Sequence, residues 1–268
     1  MKDGCPIEVC GISLSFSDKQ VLSNISFTLG CGETLILLGV TGSGKSVLLK
    51  LVAGLLKPDS GRILIDGKDI VPLRETELYP YRRRLGIVFQ EGALFDSLPV
   101  YENIAYPLRE SGETDEDKIE SEVRQVLGFV EMEDAIDKMP AELSGGMRRR
   151  VSVARAIVAQ PSLMLYDSPT AGLDPVTANT INVLIVKLRD LQHVSSILIT
   201  HRIQDALFLS RFGVSKEGER VVPLRSNGRG STQQPTRFMV LKDGGVYFLG
   251  DRQQIIQARD PYLSKLIS

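Results

Sequence analysis

The chain has 268 residues, enough for one large domain or a core carrying a subdomain, and its 32 lysines and arginines nearly cancel 33 aspartates and glutamates. That balance removes the global positive field on which a dedicated nucleic-acid binder relies, so the expectation is no nucleic-acid partner. Hydrophobic residues make up 43% of the chain, yet its aliphatic runs, such as 35–38, fall far short of the ~20 residues of a membrane-spanning helix, and the start lacks the basic-then-apolar order of a signal peptide, so a cytoplasmic chain is expected.

In chain order, Ile12, Leu14 and Phe16 alternate with serines, and Ile25, Phe27 and Leu29 alternate with Ser26 and Thr28, which predicts antiparallel strands with one solvated face. A Gly30-Cys31-Gly32 turn leads into 34–39, a continuous aliphatic run of the kind buried on both faces of a parallel sheet. Leu48, Leu51, Val52 and Leu55 then recur at helical spacing up to the turn cluster at 57–61, and a strand follows at 62–66. Short apolar runs at 85–89, 162–167 and 195–200, separated by helical patterns, give the rhythm of a parallel sheet with covering helices. Between 90 and 159 there is no strand pattern, while 101–109, 115–130 and 145–159 read as helices. The charge run at 109–122 reads as a solvated helix start.

Residues 213–237, rich in Gly, Ser, Gln and charge, read as a mobile surface loop. A hairpin at 238–241 and 246–249 closes on Asp243-Gly244-Gly245, and two short helices end the chain. The expected class is α/β: a single domain with a parallel-sheet core and an N-terminal antiparallel β subdomain in 1–90 and 160–250, an inserted α-helical subdomain at 91–159, and C-terminal helices at 251–268. Cys5, Cys10 and Cys31 lack CxxC spacing and read as small buried thiols, and with His193 and His201 as the sole histidines a metal centre of His and Cys is not expected.

The chemistry concentrates in three places. Gly39 to Ser46 reads G-V-T-G-S-G-K-S between a buried strand and an amphipathic helix. The backbone N–H groups of Gly39, Val40, Thr41, Gly42, Ser43, Gly44, Lys45 and Ser46, continuing into the helix at Val47, suit a triphosphate, with Lys45 reaching the β and γ phosphates and the Ser46 hydroxyl on Mg²⁺. The apolar strand Leu163-Met164-Leu165-Tyr166-Asp167 ends in a carboxylate suited to the Mg²⁺ shell. Ser144, Gly145 and Gly146 open a helix carrying Arg148, Arg149 and Arg150, a second helix start suited to phosphate. Two such starts in one chain suggest two copies facing each other, each completing the other's site.

On these residues the chain resembles ATP-binding cassette ATPases, P-loop NTPases of RecA-like fold, along nearly its whole length. The resemblance makes 39–46 the Walker A loop, Gln90 the Q-loop residue linking Mg²⁺, water and membrane partner, 143–147 the signature, and 163–167 Walker B. It likewise makes 171–174 the D-loop, with Asp174, and His201 the switch histidine, and it puts the Phe16 ring against adenine. Within the family, the stretches G-S-G-K-S-V-L-L-K, 89–109 and K-M-P-A-E-L-S-G-G-M-R-R-R, with Met147, resemble the ATPases of Mla or MCE-type lipid transporters. That implies ATP and Mg²⁺ as ligands, a second copy, an integral membrane permease and an MCE-domain lipid-binding protein as partners, and a peripheral place on the inner membrane. Gln90, Ser168, Asp174 and His201 then form the catalytic set, with Ser46, Gln90 and Asp167 around the metal.

Two positions depart from the family. Ser168 stands where the family has a glutamate that polarises the attacking water, which implies slow hydrolysis, and Arg202 stands where an acidic residue often follows the switch histidine. A regulatory nucleotide switch without a permease is the competing reading. A metabolic P-loop kinase would leave the signature unexplained.

Overall fold

The computed structural model describes residues 6–215, 218, 220–224, 231–232 and 235–267. The serine-spaced opening forms β1 (Ile7–Phe16) and β2 (Lys19–Leu29), which pair antiparallel and bury Ile12, Leu14, Ile25 and Phe27. β3 (Thr34–Leu38) is buried along its whole length, and α1 (Lys45–Val52) turns Leu48, Leu49, Leu51 and Val52 inward. β4 (Ser60–Ile65) and β5 (Lys68–Asp69) extend the first hairpin into a four-stranded antiparallel sheet of order β2-β1-β4-β5.

α2 (Glu75–Arg82) has no counterpart in the sequence reading. It contains Pro80 and buries a single residue, Leu78, so it shows no periodic apolar stripe. After β6 (Leu85–Val88) come α3 (Val100–Glu110), α4 (Glu116–Phe129), 3-10 turns at Glu133–Ala135 and Pro140–Glu142, and α5 (Gly145–Ile157). β7 (Leu163–Asp167), α6 (Pro175–Gln192), β8 (Ser195–Ile199) and α7 (Ile203–Arg211) restore the strand–helix alternation. His193, whose place in the sequence suits a loop or a helix end, caps α6 in the left-handed conformation.

Part of the loop expected at 213–237 is ordered as strand. β9 (Phe212–Ser215), β10 (Val221–Pro223) and β11 (Ser231–Thr232) form a small antiparallel sheet, while 216–217, 219, 225–230 and 233–234 lie outside the described residues. The chain continues through β12 (Thr236–Lys242), β13 (Gly245–Gly250), α8 (Arg252–Gln257) and α9 (Pro261–Ile267).

The central sheet has the order β13-β12-β3-β8-β7-β6, parallel except for the β12–β13 hairpin. This is the α/β class expected, with a parallel core beside an antiparallel β layer. Alternation within the buried strands divides two cores. Leu35, Leu37, Leu165 and Ile197 face α1 and the antiparallel sheet, whereas Ile36, Leu38, Tyr166 and Leu198 face the helical layer of α3 to α7. Cys10 is half-buried and Cys31 exposed, both as free thiols, which corrects the expectation of buried ones; Cys5 lies outside the described residues. Among the described residues no helix is long and apolar enough to cross a membrane.

A buried ion pair anchors the small sheet. Arg189 Nε donates to Asp190 Oδ1 at 2.6 Å, with the two side chains 1% and 0% exposed. Arg189 also donates to Leu209 O and Phe212 O, and Asp190 Oδ2 accepts from Val214 N at 2.9 Å. Removing one partner strands a buried charge, so Asp190→Ala is expected to cost about 3–5 kcal/mol. Thermal unfolding should show a Tm lowered by roughly 10 °C; a drop below about 2 °C would show that the pair contributes little.

Candidate functional site

The site is built at the carboxyl ends of the parallel strands. Leu37 of β3 and Asp167 of β7 both lie level with Ile199 of β8, so the loops leaving these strands meet along one edge of the sheet. The loop after β3 turns through three glycines in the left-handed region, Gly39 (φ 145°), Gly42 (81°) and Gly44 (93°). A methyl group on Gly39 would lie 2.5 Å from Leu241 O, and one on Gly44 would lie 2.6 Å from Leu22 Cδ2. The loop is thus wedged between β12 and β2, and only glycine fits at either contact.

The loop runs into α1 without a side-chain cap and without an acidic residue in the first turn. The first N–H groups of the helix, including those of Ser46 and Val47, have no intrahelical acceptor and form an anion cradle. Val40, Thr41, Gly42 and Ser46 are exposed around it. The Lys45 side chain is buried and its Nζ donates to Gly39 O and Val40 O at 2.8 Å and to Ser43 Oγ at 3.3 Å. Burial pushes the pKa of Lys45 down, opposed by the Asp167 carboxylate. Burial also lowers the pKa of His201, with Lys45 adding to the shift and Asp167 opposing it. The Asp167 carboxylate thus acts on both Lys45 and His201, and the lowered pKa of His201 favours its neutral imidazole. A cleft of about 360 Å³ opens beside them, lined among others by Gly39, Thr41, Thr200, His201 and Leu266.

Ser168 follows the strand-end carboxylate in the left-handed region (φ 51°), uncommon for a residue with a Cβ. It is 3% exposed, its N–H donates to Ile199 O at 2.9 Å and its Oγ donates to Asp167 Oδ1 at 3.3 Å. Gln90 is exposed just beyond β6, whose Val88 pairs with Tyr166, so it stands next to the Asp167 end of β7. Phe16 is 49% exposed at the tip of the β1–β2 hairpin, and Val21 O and Leu22 of that hairpin crowd Gly44. The donor set fits a nucleotide: backbone amides and an ammonium for phosphate, hydroxyl and carboxylate oxygens for a hard cation, an exposed ring for a base.

Ser144, Gly145 and Gly146 form a separate place. Ser144 caps α5 by accepting from Met147 N at 3.2 Å, and α5 has no acidic residue in its first turn. A methyl group on Gly146 would lie 2.3 Å from Thr177 Cγ2, so the start of α5 abuts the start of α6. Asp174 caps α6, accepting from Val176 N, Thr177 N and Thr177 Oγ1. Among the described residues no hydrogen bond joins 144–146 to the glycine loop at 39–47. Sequence reading missed Thr200 and Leu266. Thr200 was signalled only by ending an apolar strand, and Leu266 by nothing, since it reaches the cleft from the last helix of the chain.

The model for the ABC transporter family matches residues 22–171. The chain is 41% identical over 203 residues to "Probable ribonucleotide transport ATP-binding protein mkl" of Mycobacterium tuberculosis, a match covering 76% of this chain. It spans only 56% of the length of that relative. It is 36% identical over 216 residues to the intermembrane phospholipid transport system ATP-binding protein MlaF of Haemophilus influenzae, covering 81% of this chain and 82% of that one. Among solved structures, the dimeric structure of MJ0796, a bacterial ABC transporter cassette, superposes with a TM-score of 0.77 at 28% identity, covering 91% of this chain and 98% of that one. A post-hydrolysis dimer of the same cassette bound to ADP and Pi superposes with a TM-score of 0.76 at 27% identity, over the same shares of the two chains.

Proposed function

Because the chain belongs to the ABC transporter family, we propose that it is the ATP-binding subunit of a membrane transporter, that two copies close on ATP and thereby move an integral membrane permease, and that the cargo is phospholipid. The observation that carries the ATP reading is a loop of three left-handed glycines that runs into an uncapped helix start headed by the buried Lys45, on the sheet edge where Asp167 ends β7. Phospholipid is favoured over ribonucleotide because the match to MlaF spans 82% of that protein, whereas the match to mkl spans 56%.

In this reading the backbone of 39–47 and Lys45 hold the phosphates, Phe16 stacks on adenine, and Ser144, Gly145 and Gly146 of one copy, exposed or half-exposed beside Asp174, meet the γ-phosphate held by the other. Ser46, Gln90 and Asp167 would hold Mg²⁺, which would neutralise charge on the β and γ phosphates. His201, neutral and turned to the same place, accepts a hydrogen bond in orienting water. Ser168 offers a hydroxyl that cannot act as a general base near neutral pH, so hydrolysis is slow. The permease docks on a cleft of about 710 Å³ between α2, β6 and the α3–α4 pair, lined by Tyr79, Arg83, Pro107, Glu110 and Arg155, because β6 runs from this cleft directly to Gln90. The subunit is peripheral on the cytoplasmic face of the inner membrane and works with an MCE-domain lipid-binding protein.

Affinity purification of the tagged chain from native membranes tests this. A multi-span protein and an MCE-domain protein are expected to co-purify, and the complex to exchange labelled phospholipid with vesicles when Mg-ATP is supplied. Recovery of ATP binding without any multi-span partner would favour a regulatory nucleotide switch instead.

A further inference from the structure

The three consecutive arginines that follow Gly145-Gly146-Met147 have a role that phosphate binding does not supply, because each donates to a main-chain carbonyl of its own chain. Arg148 Nη1 donates to Leu143 O at 3.0 Å. Arg150 Nη1 donates to Glu131 O at 3.4 Å and lies 3.9 Å from the Glu131 carboxylate. Arg149, between them, is 5% exposed and reaches across to the loop after β6, where Nη1 donates to Phe89 O and Nη2 to Gln90 O.

We propose that Arg149 is a positioning residue that straps the start of α5 to the Gln90 loop, so that the two nucleotide-facing segments of one chain move as one body.

Three features of the molecule support the strap. First, the guanidinium makes no ion pair among the described residues, and its Nε is buried without a partner. The Glu91 carboxylate acts on this cation from a distance, but its direct partners are the two carbonyls, and displacing either would weaken its compensation in a poorly solvated place. The planar fork matches two carbonyls at once, which fixes direction as well as distance. Second, the loop is not held by its own conformation. Gly92 (φ 82°) and Ala93 (φ 49°) are consecutive left-handed residues, and a loop in sparsely populated backbone regions persists only where its surroundings hold it.

Third, the same face of α5 touches the loop again two turns later. Arg155 Nη2 donates to Gly92 O at 3.3 Å, with its guanidinium 5.6 Å from the centre of the Phe95 ring. A methyl group on Gly92 would lie 3.5 Å from Arg148 O and 3.7 Å from Ser152 Cβ, so the loop lies flat against the helix between the two arginines. Residues 149, 152 and 155 share one helical face, and that face is committed to the carbonyls of 89, 90 and 92. Resting on the function proposed above, the consequence is that a shift of Gln90 on nucleotide binding is transmitted to Ser144–Gly146, the surface offered to the second copy.

The test compares wild type with Arg149→Met, which keeps the stem and removes both donors, and Arg149→Lys, which keeps the charge but not the fork. Amide hydrogen exchange in nucleotide-free protein is read at 89–93, and steady-state Mg-ATP hydrolysis is read as kcat and KM. Arg149→Met is expected to speed exchange at 89–93 about tenfold and to lower kcat about tenfold with KM within about twofold, with Arg149→Lys between it and wild type. Exchange and kcat both within about twofold of wild type would overturn the strap, and faster exchange with unchanged kcat would overturn the coupling. If Arg149→Met fails to fold, Arg149→Lys is judged by the same criteria. If wild type neither binds nor hydrolyses Mg-ATP, the proposed function fails, while the exchange measurement still decides whether Arg149 holds the loop.

Discussion

Steady-state hydrolysis of Mg-ATP by Ser168→Glu is expected to exceed that of wild type by about 10²-fold or more, since a positioned general base contributes about 10²- to 10⁴-fold. The position can accept the change. Ser168 already occupies the left-handed region, where the constraint comes from the Cβ that both residues carry, and its backbone N–H is fixed to Ile199 O by a 2.9 Å hydrogen bond. Its Oγ points at Asp167, so a longer carboxylate starting from the same Cβ extends along the edge that Lys45 and His201 share. The opposing effect is like-charge repulsion with Asp167, which lowers the stability of the nucleotide-free protein. The variant should therefore melt lower without nucleotide and regain most of the loss with Mg-ATP. Should wild type with its permease turn over at about 10 per second, an ordinary enzyme rate, and the glutamate add nothing, Ser168 does not limit the reaction.

Lys45→Met is expected to lower kcat/KM for ATP by about 10²- to 10³-fold, the scale of losing one charged donor to the reacting phosphates. Its effect on the fold should be small, because relief of the buried charge offsets the lost hydrogen bonds to Gly39 O, Val40 O and Ser43 Oγ. Burial already disfavours the ammonium, as the direction of its pKa shift shows, and methionine matches the stem without the buried charge. Two measurements separate the effects: nucleotide binding by calorimetry and Tm without nucleotide. Weak binding with a nearly unchanged Tm is the expected pair. Hydrolysis within about threefold of wild type would remove Lys45 from the phosphate site.

The glycine loop, the strand ending at Asp167 and the capped start of α5 were legible in the sequence because each is a local pattern, a few residues whose conformation depends on one another. The placement of β12 was not. Residues 238–241 read as one arm of a hairpin, which they are, but nothing local shows that this arm starts at Thr236 and also inserts beside β3, pairing Phe238 with Ile36. α2 escaped because Pro80 and a single buried leucine leave no apolar stripe. The arginines were visible as a basic cluster beside a phosphate-suited helix start, and charge alone pointed toward anions. Their real acceptors are main-chain carbonyls, Phe89 and Gln90 being 60 and 59 residues from Arg149, which composition does not encode.

The insertion of β12 bears on how the protein is made. β3 has one neighbour in β8 and the other in β12, roughly 160 and roughly 200 residues beyond Leu38, so during synthesis at about 5–20 residues per second both edges of β3 wait for β8 and the edge that β12 fills stays unpaired for roughly 10–40 s. An open apolar strand edge is where nascent chains pair with the wrong partner. The glycine loop directly follows that edge, and Gly39 takes its final packing against Leu241 O only when β12 arrives. The glycine loop thus acquires its packed shape only after the ribosome has delivered β12, about 200 residues after the loop itself.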